Sequence, residues 1–217
     1  MAPPQVLLSD YLQSLRDILH EQNDNFASQA AKIRWINSGL LMRDIITKYN
    51  RVLKSVAVTI GVDNYTFTTL GDANIFDVIG VYVLYGNLRL LLEPFSFSML
   101  NVKVRQYQPL FQSCPAGWAR YGANTIYIAP APSQAFTMEF DCAKYSTPLA
   151  LLTDADTLPY PYTEPVPYYA AYLFKLNERQ NDEAQDFLDS FWMACAVATG
   201  ERTGALRNAY AGDRRFA

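Results

Sequence analysis

The residues best suited to chemistry are one histidine, three cysteines and two tight groups of carboxylates. With a single imidazole, any Ser-His-Asp or Cys-His arrangement would have to use His20. His20 sits beside Glu21 at the end of an amphipathic run, and nothing near it has the form of a nucleophile elbow. Cys114, Cys142 and Cys195 are too far apart for a CxxC pair or a metal knuckle. They read as buried free thiols of a protein folded in a reducing cytosol. Asp154 and Asp156 lie two apart in a Thr- and Pro-rich stretch. Such pairs cap turns, and calcium would need more oxygen ligands than these two supply. Glu183, Asp186 and Asp189 recur at helical spacing opposite an apolar stripe, the pattern of a solvated face. No GxxxxGK[ST] or GxGxxG loop occurs, and nothing selects a carboxylate pair for hydrolysis. Tyr160, Tyr162, Tyr168, Tyr169 and Tyr172 could stack on bases or sugars. Without interleaved basic residues, the group suits an interface or a core better. The expectation is a protein that is no enzyme and needs no metal or cofactor.

Four helical stretches and a block of strands must position these residues. Half the residues are hydrophobic and 18% are charged, a composition that folds. The formal net charge of −3 gives no global attraction to nucleic acid. No signal-peptide pattern and no membrane-length apolar run is present. Leu8, Tyr11, Leu12, Leu15, Ile18 and Leu19 form one helical stripe, which Ser9 or Asp10 can cap. Asn23-Asp24-Asn25 reads as a polar turn. A longer helix is expected from about Ser28 to Leu53, with Trp35, Met42, Ile45, Ile46, Tyr49 and Leu53 on one face. Ile33, Ile36 and Leu40 lie to the other side, and Trp35 and Ile36 are expected to anchor the helical core. The period then falls to two through Val56–Ile60 and Tyr65–Thr69; Val78, Val81 and Val83 sit in a β-branched and aromatic run, Leu88–Leu92 reads as a further strand, and turns fall at Gly61–Asn64 and Tyr85-Gly86-Asn87. Pro94–Val104 can hold a short helix, and Tyr107–Phe111 a further strand.

Thr125–Ile128 and Phe136–Asp141 alternate again, and an antiparallel hairpin through Ala131–Gln134 is expected, with Pro130 and Pro132 ending the first strand. After a long Pro-, Thr- and Tyr-rich connection, Val166, Tyr169, Ala170, Leu173 and Leu176 make a third helical stripe. Ala184, Phe187, Leu188, Phe191, Cys195 and Ala198 make a fourth, which Asn181 or Asp182 can cap. Gly200 and Gly204 end it.

The fold class expected is therefore α+β. Residues 1–53 form an N-terminal helical arm, and residues 54–147 an inserted antiparallel sheet or sandwich. Residues 148–200 form a linker and C-terminal helical arm that packs on 1–53 in an antiparallel bundle, and residues 201–217 an extended tail.

Several stretches together resemble the head-to-tail adaptor, or connector, proteins of short-tailed bacteriophages. They are Arg34-Trp35-Ile36-Asn37, Asp77-Val78-Ile79-Gly80-Val81, Pro115-Ala116-Gly117-Trp118, Ile126-Tyr127-Ile128-Ala129-Pro130-Ala131-Pro132 and Pro167-Tyr168-Tyr169-Ala170-Ala171-Tyr172. The resemblance implies a non-enzymatic virion protein at the head–tail junction. Its copies would form a ring, usually dodecameric, below the portal protein. The ring would extend the channel through which genomic DNA passes and dock tail nozzle or tail fibre proteins, without a membrane. The tail carries Arg202, Arg207, Arg214 and Arg215 with Leu206, Tyr210 and Phe216, and is expected to dock on the portal. Trp118, Tyr121, Tyr160 and Tyr162 are candidates for a tail or neighbour-subunit interface. The alternatives are another head-completion or tail-tube protein of the same stack, or a ligand- or carbohydrate-binding domain using the aromatic residues around Trp118 and Tyr121.

Overall fold

A computed structural model describes residues 5–20, 27–103 and 114–200. It is a mixed α+β protein with five α-helices and two sheets among the described residues. The chain divides into two compact units. One is continuous, Arg51–Lys144, and the other joins Met1–Asn50 to Tyr145–Ala217.

The discontinuous unit is helical. Helix α1 (Leu8–Leu19) buries Leu8, Tyr11, Leu12 and Leu15, as its stripe predicts. Its cap differs from expectation: Leu7 is the N-cap, and the Asp10 carboxylate reaches back to accept the Leu7 N–H at 2.9 Å. Helix α2 (Gln29–Thr47) starts at Ser28, whose hydroxyl accepts the Ala31 N–H. It ends six residues before Leu53. Lys48 takes a left-handed conformation at φ 48° and closes the last turn on Asp44, and Val52 and Leu53 belong to a strand. The β-branched, period-two run that begins there outweighs the helical stripe read through it.

Helix α4 (Pro165–Asn177) packs against α1, α2 and α5 (Asn181–Thr199). Its buried face is Val166, Ala170, Ala171 and Phe174, while Leu176 is exposed, so the face is rotated from the predicted stripe. Small residues explain the rotation, because they allow close approach. A Cβ on Gly39 of α2 would lie 2.8 Å from the Val166 carbonyl oxygen. Asn181 and Asp182 occupy the first turn of α5 rather than its cap, which is Gln180. Gly200 ends α5 at φ 71°. Ile36 is fully buried, whereas Trp35 is half-buried and meets Phe174 edge-on, with ring centroids 5.6 Å apart. Ile36 anchors this core; Trp35 flanks it.

The continuous unit contains β1 (Arg51–Val58), β2 (Asn64–Thr66), β3 (Ile75–Tyr85), β4 (Leu88–Leu91), β5 (Glu93–Pro94), β6 (Gly117–Tyr121), β7 (Thr125–Ala129) and β8 (Phe136–Lys144). A short helix, α3 (Phe97–Lys103), lies in the stretch marked for one. One sheet has the order β1-β8-β3-β4, the other β2-β7-β6-β5. The Tyr65–Thr69 strand stops at Thr66, where the Thr66 hydroxyl accepts the Thr69 N–H and a 3-10 turn follows.

The expected hairpin between Thr125–Ile128 and Phe136–Asp141 does not form. β7 pairs with β2 and β6, while β8 pairs with β1 and β3 in the other sheet. The alternation was real but its partner was misread. Ile126 and Ile128 share one core with Phe136, Met138 and Phe140, each strand turning its apolar side inward from its own sheet. The true hairpin is β6–β7, turning at Gly122 with φ 64°. The expected turn at Asn23–Asn25 and strand at Tyr107–Phe111 lie outside the described residues.

Ile36→Ala should cost ~2–5 kcal/mol, since it empties a buried aliphatic site. Gly39→Ala should cost about 1–3 kcal/mol by forcing α2 and α4 apart. Chemical denaturation of both variants checks this, with Trp35→Ala expected to cost less than full burial would imply.

Candidate functional site

Four of the carboxylates and cations in the helical unit are inside it, Lys32 at 1% exposure and three that form one cluster. Arg43 and Asp44 are fully buried, and Asp156 is 2% exposed. Arg43 comes from the α2 face next to Leu40 and Gly39, and Asp156 from the connection before α4. The Arg43 guanidinium pairs with both carboxylates. It donates from Nε and NH2 to Asp44 Oδ1 at 3.1 and 2.9 Å, and from NH1 and NH2 to the two Asp156 oxygens. It also donates to the Ser146 hydroxyl at 2.8 Å and to the Tyr162 carbonyl at 3.4 Å. The Tyr11 hydroxyl donates to Asp156 at 2.6 Å, and the Ser146 N–H to Asp44 at 2.6 Å. Burial works against the charge of Arg43, but Asp156 and Asp44 outweigh it and hold the guanidinium above its ordinary pKa. Burial, then the charge of Asp156, pushes the Tyr11 hydroxyl far above the ordinary tyrosine value.

These bonds clamp the connection of residues 145–164 onto α1 and α2. Asn37 adds a two-way clasp, donating to the Leu149 carbonyl at 2.9 Å and accepting its N–H at 2.8 Å. Leu7 bridges to Ala155, and the Leu8 N–H reaches the Asp154 carbonyl at 2.9 Å. The Asp154 carboxylate accepts the N–H groups of Ala150 and Leu151, both at 2.8 Å, and these bonds lower its pKa. Asp154 therefore caps a turn, as its context suggested, while Asp156 is consumed by Arg43 and Tyr11.

The clamped connection presents the tyrosines. Tyr160 is 69% exposed, and Tyr162 stacks on Tyr49 with ring centroids 3.7 Å apart and 17° between planes. Desolvation there, with a hydrogen bond to Tyr49, pushes the Tyr162 hydroxyl up to about 12. Beside them lies a groove of about 300 Å³ lined by Tyr11, Ile18, Tyr160, Glu164, Pro167 and Tyr168, among others. Its wall is mixed apolar and aromatic, with the Tyr11 ring held from behind by Asp156.

The other candidate residues fall elsewhere. Trp118 is buried in the core between the two sheets, and its indole N–H meets no acceptor among the described residues. It is therefore not available to stack on a sugar, whereas Tyr121 is half-exposed and packs on Phe97 and Tyr127. Glu183 pairs with Lys175 at 2.7 Å, and Asp186 and Asp189 face solvent. Cys114 is half-buried rather than buried. Burial pushes the Cys142 and Cys195 thiols up to about 12, so neither is a thiolate at neutral pH. His20 caps α1 in a left-handed conformation. No group of three or more His, Cys, Asp or Glu that could hold a metal ion occurs among the described residues. Arg202, Leu206, Arg207, Tyr210, Arg214, Arg215 and Phe216 lie outside those residues.

The arrangement is that of a scaffold in which Arg43, Asp44, Asp154 and Asp156 hold a loop that carries exposed tyrosines. The chain belongs to the SU10 adaptor protein family, whose family model matches residues 7–213. That makes it a phage adaptor, a structural component of the virion that acts through other phage head or tail proteins. No curated protein is significantly similar to it in sequence. No helix among the described residues is long and apolar enough to cross a membrane.

The sequence signal for the buried network is that Arg43 lies three and seven residues, and Asp44 four and eight, from Leu40 and Ile36 on one helix face. Arg43→Met should cost ~3–5 kcal/mol by leaving Asp44 and Asp156 buried without their cation. Exchanging both acids for asparagine in the same chain should recover part of the loss, read by denaturant titration. Tyr162 makes a pH prediction. Its folded pKa is raised, so its neutral form is favoured, and stability present below about 10 is lost as pH rises through about 12. Tyr162→Phe should flatten that loss in alkaline melting curves.

Proposed function

We propose that the chain is a ring-forming head-to-tail adaptor, dodecameric and seated below the portal, which extends the DNA channel and offers a docking surface to the tail. The observation that carries the reading is the family match, which runs through residue 213 and so includes most of the arginine-bearing tail. The structure adds support of a different kind. Arg43, Asp44, Asp154 and Asp156 are tied up in holding the loop, while Tyr160, Tyr121 and several leucines are left on the surface. A net charge of −3 suits a channel wall that lets DNA slide.

Residues 201–217 are the proposed portal contact. They carry four arginines against Glu201 and Asp213 in an otherwise acidic chain. Four arginines offset by two acids make a weak phosphate footprint, but they match carboxylates on a protein partner. Tyr210 and Phe216 supply the apolar anchors such a contact needs. Tyr160 and Tyr162, with the groove they border, are proposed as a second surface for a neighbouring or tail protein.

Deleting residues 201–217 should leave the melting temperature unchanged and weaken attachment to purified portal rings by an order of magnitude or more. Cosedimentation with portal rings measures this, and equal binding of the truncated chain would remove the tail from the contact.

A further inference from the structure

Among the described residues, the sheet β1-β8-β3-β4 ends in two strands that pair on one side only, β1 and β4. β4 is exposed along its whole length, with Leu88 at 62%, Leu90 at 44% and Leu91 at 64%. Register divides these leucines between the two faces. Leu88 and Leu90 lie opposite Tyr85 and Val83, on the core side, while Leu91 lies opposite Tyr82 on the other. Edge strands of monomeric proteins are normally blunted by lysine, proline or a bulge. The one charge on β4 is spent at home: Arg89 pairs with Glu139 at 2.7 Å and stacks on the Tyr82 ring.

β1 is the counterpart. Its eight residues alternate between exposed and half-buried, with Leu53 at 51% exposure and Val52 and Val56 partly packed on the core. Its cations are also answered within the chain, Arg51 by Asp141 at 3.3 Å and Lys54 by Asp72 at 3.8 Å. Neither edge presents a bare charge to the other.

Strand polarity selects the occupant. All three pairings in the sheet are antiparallel. Four strands therefore leave β1 and β4 running in opposite directions. A second copy in the same orientation offers its β1 antiparallel to β4, the favourable sense. With Leu91 set opposite Leu53, Leu88 lies opposite Val56 and Leu90 opposite Lys54, whose ammonium is held by Asp72 at 3.8 Å. Pairing β4 with another β4 would close a two-fold dimer and leave every β1 edge bare. We propose that β4 of one copy pairs with β1 of the next, so that the sheet continues from subunit to subunit. This contact is heterologous, and it can propagate around a ring. The pairing itself stands on the two edges; only its closure into a ring rests on the adaptor reading.

Two blocked chains test it. One carries Leu90→Lys and Leu91→Lys and keeps an intact β1; the other carries Leu53→Lys and Ala57→Lys and keeps an intact β4. All four positions are exposed, so both chains should fold, which circular dichroism checks. Leu88→Lys replaces the first pair should it fail to fold. In sedimentation velocity the unmodified chain should associate with rising concentration, and each blocked chain alone should stay monomeric. Their equimolar mixture should shift to a dimer and no further, since it can form one junction only. A mixture that stays monomeric overturns the proposal, and so does a β1-blocked chain that dimerises by itself. An unmodified chain that remains monomeric at every concentration overturns it too. In that case, binding to portal rings in the cosedimentation assay would leave the adaptor reading standing.

Discussion

A guanidinium with no access to water must be answered by charge, and Arg43 makes this demand at the centre of the helical unit. Asp44, its neighbour in sequence, answers part of it. Asp156, far along the chain, answers the rest and brings with it the connection that runs from Ser146 to Tyr162. The Tyr11 hydroxyl and the backbone N–H of Leu158 fill the remaining acceptor positions of Asp156. The ion cluster is thus a latch in which Arg43 and Asp156 answer each other and hold the neighbouring chain. A long connection without helix or strand acquires one conformation because a buried charge permits no other.

What the latch holds still is surface. The stacked Tyr49–Tyr162 pair, the exposed Tyr160 and the groove beside them all depend on the path of residues 145–164. In the β unit, the comparable features are the half-exposed Tyr121 and the leucines of β4. Tyrosine and leucine at a surface suit association, since they bury large apolar area with little rotamer loss. An adaptor is a protein whose work is contact, and its chemistry is accordingly structural.

Local periodicity made most of the elements legible. The stripe of Leu8, Tyr11, Leu12 and Leu15, the β-branched run of Val78, Val81 and Val83 and the turn at Gly86 are all legible, because each depends only on near neighbours. The errors share a cause. Alternation shows that a strand has an apolar side, but not which sheet it joins, so Ile126–Ile128 was given the wrong partner. An apolar stripe can also run past a helix end, as it did from Tyr49 to Leu53, when a left-handed residue such as Lys48 carries no sequence mark. The candidate site was less legible still. Asp154 and Asp156 look alike in sequence, yet one caps an exposed turn and the other is buried against a cation 113 residues away. Only the tertiary partner separates them.

That separation in sequence matters before the protein is finished. Arg43 leaves the ribosome well ahead of Asp156, and the whole of Arg51–Lys144 is made in between. The nascent chain therefore holds α1 and α2 with a cation answered by Asp44 alone and an open apolar face, while the β unit already has every residue it needs to close. The latch can close only after translation has passed Asp156, so its closure reports that the second half has been made.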